Sequence, residues 1–319
     1  VLQQLMRGGA LACQQLHARC PRLFSSVDLE VQQSYELLMA MASSRASGAD
    51  PGRLAQLLQQ PLRSLERHAA RVQLGEAASR LRAVGACKGL VALCARIARV
   101  RDPRDECLRP RDPASAQTQQ LHYARLECYQ VVLEVFEDLF LLAQGYAGGA
   151  PGLLGVSATA APGTLAATRG LELPALLPMP LHAADALPIL DALLRHCLED
   201  HVYGADELFH FCILKWMMQR DLPLYRYESP YLRSFLERHA RDQPELLCRY
   251  HQHRRQWAEA CDAYMALANR LPQREERLPL LQAALLCARM PGTGQREQPI
   301  LRAIAETRAP EALVPSGHG

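Results

Sequence analysis

Lysine is almost missing from this 319-residue sequence: Lys88 and Lys215 are the only two among 36 basic residues. With Ala, Gly, Pro and Leu abundant, the skew reads as a GC-rich coding bias. Recognition of a polyanion would instead gather the arginines into one patch. A charge excess is missing too, since 36 basic residues face 33 acidic ones and leave a formal +3. So small a balance does not by itself imply a nucleic-acid partner. Aromatic residues make up only 6%, and the period-two alternation of strands is scarce. What is present, 49% hydrophobic and 22% charged residues, excludes global disorder, a collagen-like fibre and a multi-span membrane protein.

The motifs that carry chemistry are missing as well. No G-x-S-x-G marks a nucleophile elbow. The glycines from Gly148 to Gly155 lack both the preceding strand and the lysine of a phosphate-binding loop. The 11 cysteines are odd in number and form no C-x-x-C pair, and no histidine completes a zinc spacing. Cys13, Cys20, Cys87, Cys94, Cys128, Cys212, Cys261 and Cys287 fall in apolar, helix-patterned stretches. They read as free thiols acting as small hydrophobes, as a reducing cytosolic or nuclear compartment permits.

Glu207 and His210 stand at the i, i+3 spacing of di-iron bundles, but such a site needs four converging helices and only one pair exists. The expectation for this pair is a surface or helix-end role. A metal held by His196, His201 or His210 would overturn that reading. The most basic cluster is Arg249, His251, His253, Arg254 and Arg255. Nucleic acid would want it extended along one face with stacking aromatics, whereas Tyr250 and Trp257 fit a helical core pattern. The expectation is therefore no catalytic residue, no cofactor, no metal site and no small-molecule substrate. Nucleic acid is not expected as a partner.

Helical periodicity runs through most of the chain. Ser25 and Asp28 form a capping-box pattern ahead of Leu29, Tyr35, Leu38 and Met41. Asp50-Pro51 is an N-cap with an N1 proline, opening a helix through Val72. Further helices are predicted over 75–84, 87–100 and 116–143, the last with an apolar row Leu126, Tyr129, Val132, Val135, Phe136 and Leu139. They resume at Leu187 and continue over 205–220, 229–240 (from the cap pair Ser229-Pro230), 243–254, 256–270, 274–289 and 297–307. Ala86-Cys87, Ala92-Leu93 and Arg96 recur in spacing as Ala260-Cys261, Ala266-Leu267 and Arg270, a faint internal echo.

Residues 148–184 hold six glycines and five prolines, and no charge lies between Asp138 and Arg169. Pro151 and Pro162 would break a lipid-exposed helix, so the segment reads as a flexible linker with at most weak membrane contact. The expected organisation is 1–147, a first helical segment; 148–184, the linker; 185–308, a second helical segment; and 309–319, a disordered tail. The fold class is all-α: an irregular α-solenoid of stacked antiparallel helix pairs, interrupted by the linker. Such a stack offers partner grooves without an active site. Trp257 is expected in an inter-helix seam, where truncation to Ala would cost about 3–5 kcal/mol.

Several runs carry a family resemblance. Asp206-Glu207-Leu208-Phe209-His210 leads through Trp216 and Asp221-Leu222 to Ser229-Pro230-Tyr231-Leu232. Leu246-Leu247-Cys248-Arg249-Tyr250-His251, Trp257-Ala258-Glu259-Ala260 and Arg277-Leu278 through Ala288-Arg289 follow in order. Upstream stand Cys20-Pro21-Arg22-Leu23-Phe24-Ser25, Tyr35-Glu36-Leu37-Leu38, His122-Tyr123 and Cys128-Tyr129. Collinear over most of 13–305, these runs resemble the C-terminal helical region of the inner-ring scaffold nucleoporins, the nucleoporin 155/170 family. Cys248 and His251 stand where the family has aromatics.

The resemblance implies a non-enzymatic structural subunit of the nuclear pore complex, at the nuclear envelope of the nucleus, supporting nucleocytoplasmic transport. It implies as partners other scaffold nucleoporins and linear segments of linker nucleoporins, with no contact residues transferable. The alternative is a coat or tethering subunit of vesicle traffic built on a similar solenoid. Val1 opens inside an apolar helical pattern with no initiator Met or signal peptide. The chain is accordingly expected to be a fragment lacking an N-terminal β-propeller and C-terminal helices.

Overall fold

The computed structural model describes residues 10–22, 24–108, 115–145, 173–178, 181–199, 205–239 and 244–308. Among the described residues every regular element is helical. The chain divides into two compact units, Val1–Trp216 and Met217–Gly319.

The first unit holds α1 (Ala10–Arg19), α2 (Ser26–Ala46), α3 (Pro51–Arg67), α4 (Leu74–Val84), α5 (Cys87–Arg101), α6 (Ala116–Ala143) and α7 (Ala183–Glu199). Most of α8 (Glu207–Gln219) belongs to it too. The caps follow the sequence. Ser25 Oγ accepts the Asp28 N–H at 3.3 Å while Asp28 Oδ2 accepts the Ser25 N–H at 2.9 Å, closing the box at the start of α2. Asp50 Oδ2 accepts the Arg53 N–H at 2.8 Å, with Pro51 at the first helical position of α3. That helix ends at Arg67, one turn short of the predicted Val72.

Gly85 ends α4 in the left-handed conformation, φ 75°. Its N–H donates to Arg82 O and that of Ala86 to Leu81 O, both at 2.8 Å, the paired bonds of a Schellman cap. The tight reversal sends α5 back through the middle of the unit. Leu90, Val91, Leu93, Cys94, Ile97 and Ala98 of α5 are all buried, because α3, α4 and α6 pack around it. Gly89 permits the α3 approach: a Cβ there would lie 2.7 Å from Leu62 Cδ1. Each fully buried leucine contributes about 1.5–3 kcal/mol relative to exposure.

The chain returns to this unit before α7. Leu176, Leu177 and Leu181 are buried, the Leu177 N–H donates to Gly85 O at 2.9 Å, and Arg45 Nη2 donates to Leu177 O. The expected linker thus ends in a docked stretch at 173–178 and 181–184; residues 146–172, 179 and 180 lie outside the described residues.

The second unit contains α9 (Leu232–His239), α10 (Pro244–His253), α11 (Trp257–Arg270), α12 (Arg274–Ala288) and α13 (Glu297–Arg308), with single 3-10 turns at Leu224–Arg226 and Gly294–Arg296. Ser229 Oγ accepts the Tyr231 N–H at 3.2 Å, but α9 begins only at Leu232. Ser229-Pro230 therefore forms a turn before the helix in place of the expected N-cap and N1 pair. Small side chains, Ala260, Cys261, Ala284, Cys287 and Ala288 among them, form the core between α11 and α12. The two echo stretches share their burial pattern, with Cys87, Leu93, Cys261 and Leu267 buried and Arg96 and Arg270 exposed. They differ in helical position, one starting at the cap of α5 and the other inside α11.

Trp257 is only partly buried against this core, at the first residue of α11. The better-buried tryptophan is Trp216, 6% exposed, whose Nε1 donates to Glu137 Oε2 at 3.0 Å. Trp216→Ala is therefore expected to cost about 3–5 kcal/mol, and Trp257→Ala only about 1–2 kcal/mol. Urea unfolding of both variants checks the order.

Candidate functional site: a buried charge tie and two open grooves

The apolar row of α6, carried back one turn from Cys128 and Tyr129, reaches Arg125. Its side chain is 1% exposed, so a permanently charged guanidinium sits inside the protein and must be answered by carboxylates. Three supply the charge. Nη1 lies 2.8 Å from Asp206 Oδ2, Nε 3.1 Å from Asp102 Oδ2, and Nη2 donates to Asp105 Oδ1. Nη2 also donates to the Asp102 carbonyl at 2.9 Å, and the Tyr129 hydroxyl donates to Asp206 Oδ2.

Two of the carboxylates have a second task. Asp206 Oδ1 accepts the Phe209 N–H at 3.0 Å and caps α8. Asp102 Oδ1 and Oδ2 accept the Glu106 and Cys107 N–H groups at 2.8 and 3.1 Å. Asp105 takes a left-handed φ of 54°, which Asp tolerates better than most residues. The tie thus fastens α6, the turn after α5 and the start of α8.

Electrostatics follow from the geometry. Burial works against the Asp102 carboxylate, but hydrogen bonds from Cys107 and the Glu106 N–H, with the Arg125 charge, hold its carboxyl below the ordinary 3.8. Burial and the adjacent Asp206 push the Tyr129 phenol upward, keeping it a donor. Burial also raises the thiols, Cys87 and Cys248 to about 12 and Cys128 and Cys261 to about 11, so at neutral pH they are protonated and poor nucleophiles.

The residues singled out by sequence are dispersed. His210 is fully buried near the N-terminal end of α8, a correction to the surface alternative of its expected surface or helix-end role: the apolar face of α8 turns it inward. Glu207 lies in the first turn of the same helix, His196 is half-buried in α7, and His201 lies outside the described residues. Among the described residues no three His, Cys, Asp or Glu side chains converge as metal ligands. The Gly148–Gly155 run is likewise outside them, and no described helix is long and apolar enough to cross a membrane.

The basic cluster is answered locally. Arg249 pairs with Glu245 and Arg254 with Glu228, each at 3.3 Å, and the buried His251 bonds Gln256 Oε1 through Nδ1 at 2.9 Å. Among the described residues, two surface grooves are well formed. Between the outer faces of α2 and α3 runs a groove of about 830 Å³, lined by Gln33, Gln56, Gln59 and Gln60, with Glu36 and Leu37. A second, of about 810 Å³, runs along α6 beside Tyr123, and its charges are paired, Arg101 with Glu127 at 2.6 Å and Arg82 with Glu134 at 3.0 Å.

Among the described residues the fold is all-α, with a buried ion cluster in the first unit and open grooves between helices, the architecture of a helical-repeat class of protein. The sequence profile of the family described as "Non-repetitive/WGA-negative nucleoporin C-terminal" matches residues 1–306, and the chain belongs to this nucleoporin family. No curated protein matches the sequence. Among solved structures, Chaetomium thermophilum Nup170 SOL is similar at 20% identity, TM-score 0.66, over 96% of this chain and 37% of that one. Chaetomium thermophilum Nup170 CTD gives 20% identity and TM-score 0.58, over 88% of this chain and 46% of that one. The Nup170 CTD–Nup145N complex of the same organism gives 22% and 0.56, over 84% and 49%. These likenesses carry the fold, an α-solenoid. The chain spans less than half the length of each of these three.

Two outcomes test the tie. Arg125→Ala leaves the Asp102 and Asp206 carboxylates without their cation and is expected to cost about 3–5 kcal/mol in urea unfolding. The acid limb has a definite sign. Because Asp102 titrates lower folded than unfolded, its contribution is present at neutral pH and lost as pH falls through its depressed folded value. Below about pH 4 the melting temperature should drop, and Asp102→Asn should flatten that drop.

Proposed function

We propose that the chain is a structural scaffold subunit of the nuclear pore complex, part of its inner ring. It supports nucleocytoplasmic transport through protein–protein contacts and performs no catalysis. The observation that carries this reading is the nucleoporin family match over residues 1–306, laid on a fold made of stacked helices. That family match is to nucleoporins and not to vesicle coats. Buried thiols held protonated and basic residues paired with neighbouring carboxylates leave no evident nucleophile or polyanion site, which supports a structural role.

Its partners are other scaffold nucleoporins and linear segments of linker nucleoporins. A related C-terminal domain has been crystallised in complex with Nup145N, which supports this choice. A segment of that kind gains affinity by placing a few side chains in a preformed groove between helices. Its site of action is the nuclear envelope.

The endogenous protein, fluorescently tagged in its own cells, is expected to give a punctate nuclear rim and to co-purify with scaffold nucleoporins. A vesicular or diffuse cytoplasmic signal without pore components would move the coat reading to the front.

A further inference from the structure

We propose that residues 173–178 are a releasable strap docked on the α4–α5 turn, and that its release turns Cys87 from an inert thiol into a reactive one. The inference does not depend on the scaffold reading; it concerns how this part of the first unit opens.

The strap is tied down at few points. It has no regular secondary structure, and Pro174 and Pro178 bring no N–H of their own. Leu176 and Leu177 are buried, while Pro174, Ala175 and Pro178 are exposed. Leu177 carries the polar ties: its N–H donates to Gly85 O at 2.9 Å, and its carbonyl accepts Arg45 Nη2.

Arg45 is a poor latch. Burial works against its charge, and among the described residues it makes no ion pair. Its Nη1 is shut off from solvent and has no hydrogen-bond partner among them. An N–H so placed is unfavourable, and water satisfies it once the strap leaves. The α5 core is held by complete helices packed on several sides, so the strap opens at lower cost than the unit as a whole.

Cys87 stands where that opening matters. It is the first residue of α5, just past Gly85, and Ala86 gives the helix no side-chain cap. Its thiol is buried, and the same guanidinium that holds Leu177 acts on it. Burial pushes the thiol up to about 12, against the charges of Arg82 and Arg45. Water admitted by the strap removes that burial and leaves a helix N-terminus and two guanidiniums, the setting that activates a thiol. Cys94, two turns further along α5, is as deeply buried but sits inside the helical core. It is the internal control.

The full chain is pulsed with iodoacetamide at urea concentrations below its unfolding transition, and each site is read by mass spectrometry. In the wild-type protein Cys87 should react at least about tenfold faster than Cys94, with a much shallower dependence on urea. Leu177→Ser should speed Cys87 by about tenfold again and leave Cys94 unchanged. In that variant the pH midpoint of Cys87 alkylation should fall below the ordinary thiol value of about 8.5. Adding Arg45→Met should move the midpoint back up.

Equal rates and urea slopes at the two cysteines would overturn the proposal, because only the whole unit would then open. Equal acceleration of both by Leu177→Ser would do the same. A midpoint at or above the ordinary value, or one that Arg45→Met leaves in place, would overturn it as well. Should Leu177→Ser fail to fold, the urea series on the wild-type protein decides alone.

Discussion

A guanidinium cannot shed its charge, and Arg125 is buried. That single fact organises the first unit. The charge is tolerable only with carboxylates at hydrogen-bonding distance, and these come from the turn after α5 and from the residue that starts α8. Once Asp206 is fixed, α8 begins beside α6, and its aromatic face follows. Phe209 meets Tyr129 with ring centroids 5.1 Å apart, and Trp216 meets Phe136 at 5.4 Å, both within the range where aromatic pairs add to simple burial. The ion cluster contributes mainly by specifying one arrangement of these helices, since apolar groups of equal size could match it in stability.

The same physics leaves open faces on the outside. Helices that bury one face against neighbours expose the other, and where two outer faces diverge a groove remains. Along α6 the groove charges are paired with one another. Between α2 and α3 the lining is rich in carboxamides and includes a carboxylate oxygen without a partner. Burial keeps the Cys87 and Cys248 thiols inside the stack protonated at neutral pH, which makes them poor nucleophiles.

Local signals were readable in the chain. The Ser25–Asp28 box, the Asp50-Pro51 start and the α4–α5 break at Gly85 each depend on residues within six positions of one another, and each is found where periodicity and capping chemistry placed it. The resemblance residues gained physical roles. Tyr35 accepts the Gln73 N–H at 3.2 Å and lies beneath the Arg80 guanidinium, and Asp206 caps α8. By contrast, Ser229-Pro230 carried a cap signal, yet the helix begins at Leu232. Trp257 matched a core pattern, but its place at the first residue of α11 leaves it at the rim.

The sequence by itself determined the elements: all-α, where most helices start and stop, and the family. Those properties are set by contacts between near neighbours in the chain and by ordered short motifs. Only the tertiary structure decided which polar groups are buried together. Arg125 and Asp206 are 81 residues apart, Leu177 and Arg45 are 132 apart, and the pairs carry no local signal. An arginine in an apolar row, two leucines in a proline-rich stretch and a glutamate on α2 read as ordinary surface or linker until packing closes water off from them. Burial sets the cost of a polar group, and burial is a property of the whole fold.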